Sequence, residues 1–226
     1  WAKRATEEAS KSEPNKKELT GLVHWFPLDE LTGKKIKNSV TDSFATLERG
    51  KLTPTLRDNR QAISLDGATQ FACDKESPEL KNSKPFSFAV WIKSNGKSNG
   101  AVFSRMDVGQ SFRGYDLWIQ SQAVGTHIIN TWPSNAIKVV SKDKLKANTW
   151  QHVVISYDGT QKASGVKIYI DGKLSENNVE ADTLTSTLET KVPFKIGSRS
   201  NGANWKGAID DVRIYNRALT PAEVPL

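Results

Sequence analysis

Two segments in the second half of the chain limit most strongly what it can fold into. Trp150-Gln-His-Val-Val-Ile-Ser-Tyr157 runs into Asp158-Gly159, and Val166-Lys-Ile-Tyr-Ile170 runs into Asp171-Gly172. Each is a β-branched and aromatic run that stops at a dipeptide suited to a tight turn, the pattern of successive antiparallel strands. Upstream, Ser87-Phe-Ala-Val-Trp-Ile-Lys93 alternates, with Phe88, Val90 and Ile92 on one face and Ala89 and Trp91 on the other. Shorter runs of the same kind occupy residues 23–28, 61–65, 101–104, 115–119, 127–129, 137–140, 194–197 and 207–215. Some ten or more short strands with almost no helix predict two antiparallel sheets packed face to face. No short-period repeat is present, which argues against a propeller or a solenoid.

The length of 226 residues suits one all-β domain of this kind. Seven Trp, eight Phe and four Tyr supply enough apolar mass to offset ordering entropy. Membrane insertion is not expected, because no stretch approaches the roughly 18 apolar residues of a spanning helix. Cys73 is the single cysteine, which excludes a disulfide scaffold; with His24, His127 and His152 far apart in the chain, Cys-ligated zinc is excluded too. The formal charge of +7 comes from lysines spread along the chain, a distribution that serves solubility before binding. No Lys/Arg block with interleaved aromatics points to nucleic acid.

Residues 1–20 differ from the rest. Trp1 to Ala9 is helix-prone, and the polar stretch after it contains Pro14, so a short helical lead-in and linker are expected before a sandwich at 21–226. At the other end, Thr220 as N-cap and Pro221 at the first helical position predict one helical turn. A chain that begins at Trp1 reads as a piece of a longer or processed protein.

Taken in order, five motifs resemble one family. They are Phe86-Ser-Phe-Ala-Val-Trp-Ile-Lys93, Trp150 through Asp158-Gly159, Val166 through Asp171-Gly172, Phe194-Lys-Ile-Gly-Ser198, and Gly207-Ala-Ile-Asp-Asp-Val-Arg-Ile-Tyr-Asn-Arg-Ala-Leu219. They look like the laminin-G-like domain of the concanavalin A-like lectin/glucanase superfamily, and Phe26-Pro-Leu-Asp29 is similar to that family's opening strand. The resemblance covers about Gly21 to Leu226. It implies a jelly roll of two curved antiparallel sheets, a ligand on the concave face and a structural calcium on the opposite side. It also implies an extracytoplasmic or secreted setting inside a larger bacterial protein. It leaves function open, because this fold hosts enzymes, lectins and spacers.

Retaining glycosidases of this fold commonly carry Glu-x-Asp-x-x-Glu on one strand, a pair of carboxylates flanking the scissile bond. The nearest match here is Glu180-Ala-Asp182-Thr-Leu-Thr185, with Thr at the third position. No Gly-x-Ser-x-Gly elbow is present. The chain is therefore expected to be a non-catalytic binding or adhesion module, monomeric as an isolated domain, with a glycan or protein ligand. A structural spacer, or a hydrolase or lyase with a non-standard site, are the alternatives. For calcium, the resemblance points to Asp210 and Asp29, although Asn38-Ser39 stands where relatives carry Asp-Ser. For a ligand, aromatic planes with polar neighbours suit a sugar, whose face is apolar and whose rim is hydroxylated. Trp118, Trp132 and Trp205 lie in such contexts, with Tyr115 and Arg113 beside the first. Trp91 and Trp150 read as core framework, Trp25 as either. His24 and His152 read as packed sheet residues, and so does His127, on a less certain strand that leaves it open to a groove.

Overall fold

The computed structural model describes residues 20–29, 31–73, 75–200 and 202–224. The expected helical lead-in falls on residues outside this set, apart from Thr20. In chain order the strands are β1 (Leu22–Phe26), β2 (Leu31–Thr32), β3 (Lys35–Lys37), β4 (Phe44–Arg49), β5 (Thr53–Arg57), β6 (Arg60–Asp66), β7 (Gln70–Cys73), β8 (Phe86–Ser94) and β9 (Gly100–Asp107). The second half adds β10 (Arg113–Gln120), β11 (Ala123–Thr131), β12 (Asn135–Lys144), β13 (Trp150–Tyr157), β14 (Val166–Ile170), β15 (Lys173–Ser175), β16 (Asn177–Asp182), β17 (Lys195–Ile196) and β18 (Lys206–Tyr215).

Among the described residues these strands form two antiparallel sheets, the jelly-roll sandwich expected. One runs β15-β14-β13-β8-β18-β6-β5, with β1 also paired to β18; the other runs β16-β12-β11-β10-β9-β17-β7-β4-β3-β2. Alternation decides which side chains meet between them. Phe88, Val90 and Ile92 of the first sheet and Tyr115, Leu117 and Ile119 of the second all enter one buried core. Phe88 packs edge-on to Phe103 at 5.2 Å between ring centroids and stacks with Tyr115 at 5.5 Å. Fully burying each such side chain contributes about 1.5–3 kcal/mol, so the shared core is the main stabilising force.

The turn dipeptides act locally. Asp171 and Gly172 both have positive φ, +50° and +77°, and close the β14–β15 hairpin as a primed turn does. Asp158-Gly159 makes a longer turn instead, in which Asp158 Oδ1 accepts hydrogen bonds from the Thr160 backbone and hydroxyl before β14 begins. The expected helical turn at 220–224 is a single hydrogen-bonded turn, with Glu223 N–H donating to the Thr220 carbonyl at 2.9 Å. Beside it Leu219 and Val224 tuck into an apolar cluster with Leu22, Ala89, Val154 and Tyr215, on the outer face of the β8–β13–β18 sheet.

Candidate functional site

The outer face of the ten-stranded sheet carries the candidate site. Antiparallel register places Asp116 of β10 opposite His127 of β11, and His127 opposite Lys138 of β12. Three polar side chains thus form a row across three strands. Trp118 and Gln120 follow Asp116 at two-residue steps and share its face. Gly125 stands opposite Trp118, so no cross-strand side chain competes with the indole. Phe112, Trp132 and Arg199 arrive from loops and, with Trp118, Gln120, His127, Ile129 and Lys138, enclose a depression of about 230 Å³.

Aromatic geometry fixes the walls. The His127 ring meets Trp118 edge-on at 5.9 Å and Trp132 edge-on at 5.6 Å, so it stands between two half-buried indoles. The Arg199 guanidinium lies 4.3 Å from the Trp118 ring centroid, and Lys138 Nζ lies 5.9 Å from that of Trp132. Both are cation–π arrangements.

Beneath them, Asp116 is fully buried. Its Oδ1 accepts from the His127 backbone N–H and lies 2.9 Å from His127 Nδ1. Its Oδ2 accepts from Arg199 Nε at 3.1 Å and from a second guanidinium nitrogen. Burial alone would raise this carboxyl, but the His127 and Arg199 charges and hydrogen bonds outweigh it and hold Asp116 well below the usual carboxylate range. The loop bearing Arg199 is itself pinned, since Arg199 and Gly202 exchange two backbone hydrogen bonds at 2.9 Å. At the far side Lys138 Nζ pairs with Glu180 of β16 at 2.6 Å and donates to Gln120 Oε1 at 3.1 Å. Gln120 in turn donates to Glu180 at 3.2 Å.

The structure brings Trp118 and Trp132 together and separates the other expected ligand residues from them. Trp205 is fully buried, which corrects its reading as a platform: a side chain with no exposed surface offers no plane to a ligand. Its indole packs over Gly207, where a Cβ would come within 2.3 Å of the ring. Tyr115 is corrected in the same way, since it points into the core and its hydroxyl donates to the Pro78 carbonyl at 2.7 Å. Arg113 lines a different depression and is engaged by Gln110 Oε1 at 2.7 Å and the Asn130 carbonyl. The sequence reading does not single out Lys138, Gln120 or Phe112. The row follows from the registers of the two hairpins, which pair Asp116 with His127 and His127 with Lys138, and no local sequence pattern marks it.

The carboxylates proposed for calcium have other partners. Asp210 is fully buried and accepts from Arg57 Nε at 2.7 Å; Asp29 lies 3.6 Å from Arg60. Asn38 is committed as well, its Oδ1 accepting from the Trp25 and Val40 backbone and its Nδ2 lying 2.7 Å from His24 Nδ1. Calcium takes six to eight oxygens. Among the described residues no group of three or more His, Cys, Asp or Glu side chains is placed to share an ion. Each of the two carboxylates expected to hold the ion faces a guanidinium.

Comparison with known proteins agrees with the fold. Over 96% of its length the chain is 22% identical to human adhesion G-protein coupled receptor D1, of which it spans 24%. The binding domain of Paraclostridial mosquitocidal protein 1 superposes with a TM-score of 0.69 at 15% identity, covering 92% of this chain and 52% of that one. Domain 4 of AbnA, an extracellular arabinanase of Geobacillus stearothermophilus solved in complex with arabinotriose, superposes with a TM-score of 0.58 at 19% identity, covering 90% and 96%. Identities this low show shared architecture alone. Residues 66–225, more than half of the chain, match the profile of a laminin-G family, and the chain therefore belongs to the concanavalin A-like lectin/glucanases superfamily.

Proposed function

We propose that this chain is a non-catalytic carbohydrate-recognising module, part of an extracytoplasmic protein, that seats a sugar between Trp118 and Trp132. The observation that carries this reading is the depression itself. Two half-buried indoles and Phe112 supply apolar planes, and Gln120, His127, Lys138 and Arg199 supply polar groups at the rim. Sugar sites need that combination of apolar surface with a few fixed polar groups.

The carboxylates near the depression favour binding over hydrolysis. A glycosidase acid must stay protonated near neutral pH, which requires a raised pKa. Asp116 is held the opposite way, and the hydrogen bond from Lys138 lowers Glu180 too. The structural relatives described as binding domains are in keeping with this reading.

The test is a panel of oligosaccharides titrated against the chain and against Trp118→Ala and Trp132→Ala. Binding to at least one glycan is expected, weakened about tenfold or more by either substitution, since stripping one stacking plane removes on the order of 1.4 kcal/mol. Absence of binding across the panel, or binding indifferent to both substitutions, would overturn the proposal.

A further inference from the structure

The cations around the Trp118–Trp132 depression suggest an acidic ligand at first sight, and the chain's charge of +7 points the same way. The geometry points elsewhere. Arg199 is matched by Asp116, whose two oxygens are both taken up by the residues of the depression. Lys138 is matched by Glu180 at 2.6 Å, and Gln120 closes that pair into a triangle. An acidic sugar would have to displace Glu180, or approach an arginine whose charge is already balanced by a fully buried carboxylate.

Resting on the glycan-binding reading above, we infer that the ligand is an uncharged glycan, and that Glu180 is the residue that sets this selectivity by holding Lys138. With the charges of Arg199 and Lys138 each matched by a carboxylate, these groups act toward hydroxyls as hydrogen-bonding dipoles. Such a site is insensitive to salt, because screening acts on net charge at the surface and leaves neutral hydrogen bonding and stacking in place. The dispersed lysines lie outside this balance and give a weaker, salt-sensitive attraction to polyanions that does not involve the indoles.

The experiment compares binding that is lost in Trp118→Ala, using neutral arabinan, xylan and cellulose oligosaccharides against polygalacturonate, hyaluronan and heparin oligosaccharides. Restricting the readout to this difference removes the general attraction of a basic chain for polyanions. The neutral set is expected to contain the ligand, with affinity changing less than about twofold between about 0.05 M and 0.5 M salt. Glu180→Gln is expected to shift the acidic-to-neutral affinity ratio at low salt by about threefold or more toward the acidic set, and high salt is expected to erase the shift. Preference of the native chain for an acidic oligosaccharide, or an unchanged ratio in Glu180→Gln, would overturn the inference and leave glycan binding standing. Absence of indole-dependent binding to either set would overturn both.

Discussion

Each outer face of the sandwich carries the same four-part arrangement of tryptophan, histidine, arginine and buried aspartate. On the ten-stranded sheet Arg199 lies 4.3 Å over Trp118, His127 stands beside it, and Asp116 holds the guanidinium. On the other sheet Arg57 lies 4.5 Å over Trp91, His152 is 5.1 Å away, and Asp210 holds the guanidinium at 2.7 Å. What differs is the cover. Arg57 belongs to β5, and Trp150 Nε1 donates to the Leu56 carbonyl of the same strand, so the β5–β6 hairpin rests on the tryptophans. Arg199 comes from a loop that leaves the face between Trp118 and Trp132 open. A set of residue types therefore does not define a binding site; whether backbone lies on top of it does.

The carboxylates show the second difference. Asp116 has both oxygens engaged, whereas Asp210 Oδ1 has no partner among the described residues. The sharpest way to break the comparison is to neutralise each. Asp116→Asn leaves the half-buried Arg199 guanidinium unbalanced and turns an amide donor toward one of the donors that fully buried Asp116 accepts from, and should cost about 3–5 kcal/mol. Asp210→Asn keeps an acceptor for Arg57, leaves that guanidinium Asp58 at 3.6 Å, and removes the burial of a charge, and should cost about 1 kcal/mol or less. Urea unfolding at neutral pH measures both. Equal losses would mean that the two pairs are energetically the same.

Acid separates the faces next. Burial lowers His24 and His152 to about 4, so the unfolded chain takes up their protons first, as pH falls below 6.5. Their stabilisation is complete above that value and is lost by about pH 4, on the order of 3 kcal/mol each. Burial has the opposite effect on Asp210, raising it to about 6, so this group favours the fold at low pH and ceases to as pH rises from 3.8 through 6. The contribution of Asp210 is of similar size, so the net expectation is a fall of about 3 kcal/mol between pH 6.5 and 4. In Asp210→Asn the opposing part is gone and the fall should steepen; an unchanged slope would show that Asp210 titrates alike in both states.

Exchanging the tryptophans gives a smaller, crossed effect. Trp91→Ala should lower stability by about 2 kcal/mol, because it removes the plane under Arg57 and beside His152, and should leave glycan binding intact. Trp118→Ala should lower stability by about 1 kcal/mol and weaken binding about tenfold or more. Binding lost in Trp91→Ala instead would move the site to the covered face.

The parts of this architecture legible in the sequence are those set by period-two alternation. Phe88, Val90 and Ile92 face the core as their spacing requires, and β13 pairs with β8 to bring His152 opposite Trp91. The misread parts depend on contacts between residues far apart in the chain. Trp205 stands among Asn and Gly and looks exposed, yet Gly207 makes room for its indole in the core. Trp91 and Trp150 read as core but are half-buried, and what covers them is a hairpin nearly a hundred residues from Trp150. Arg199 reached Asp116 by the same kind of long-range contact, which no local pattern encodes.

The last expectation is an absence of effect, and it bears on why the covered face differs. In the resemblance that the sequence suggests, Asp210 and Asp29 would hold calcium on that face. Here a guanidinium occupies the near side of Asp210, stacked on Trp91 and so fixed in place, and Arg60 stands by Asp29. A divalent ion would have to enter beside two positive charges, and among the described residues no group of three or more His, Cys, Asp or Glu side chains is placed to hold it. Any ligand that binds only the folded state must raise the unfolding midpoint in proportion to the logarithm of its concentration over its dissociation constant. Thermal unfolding in millimolar-range calcium and in chelator should therefore coincide. A calcium-dependent rise would show that Arg57 yields its place, and that the arginine stack on this face is a substitute for the ion in its absence.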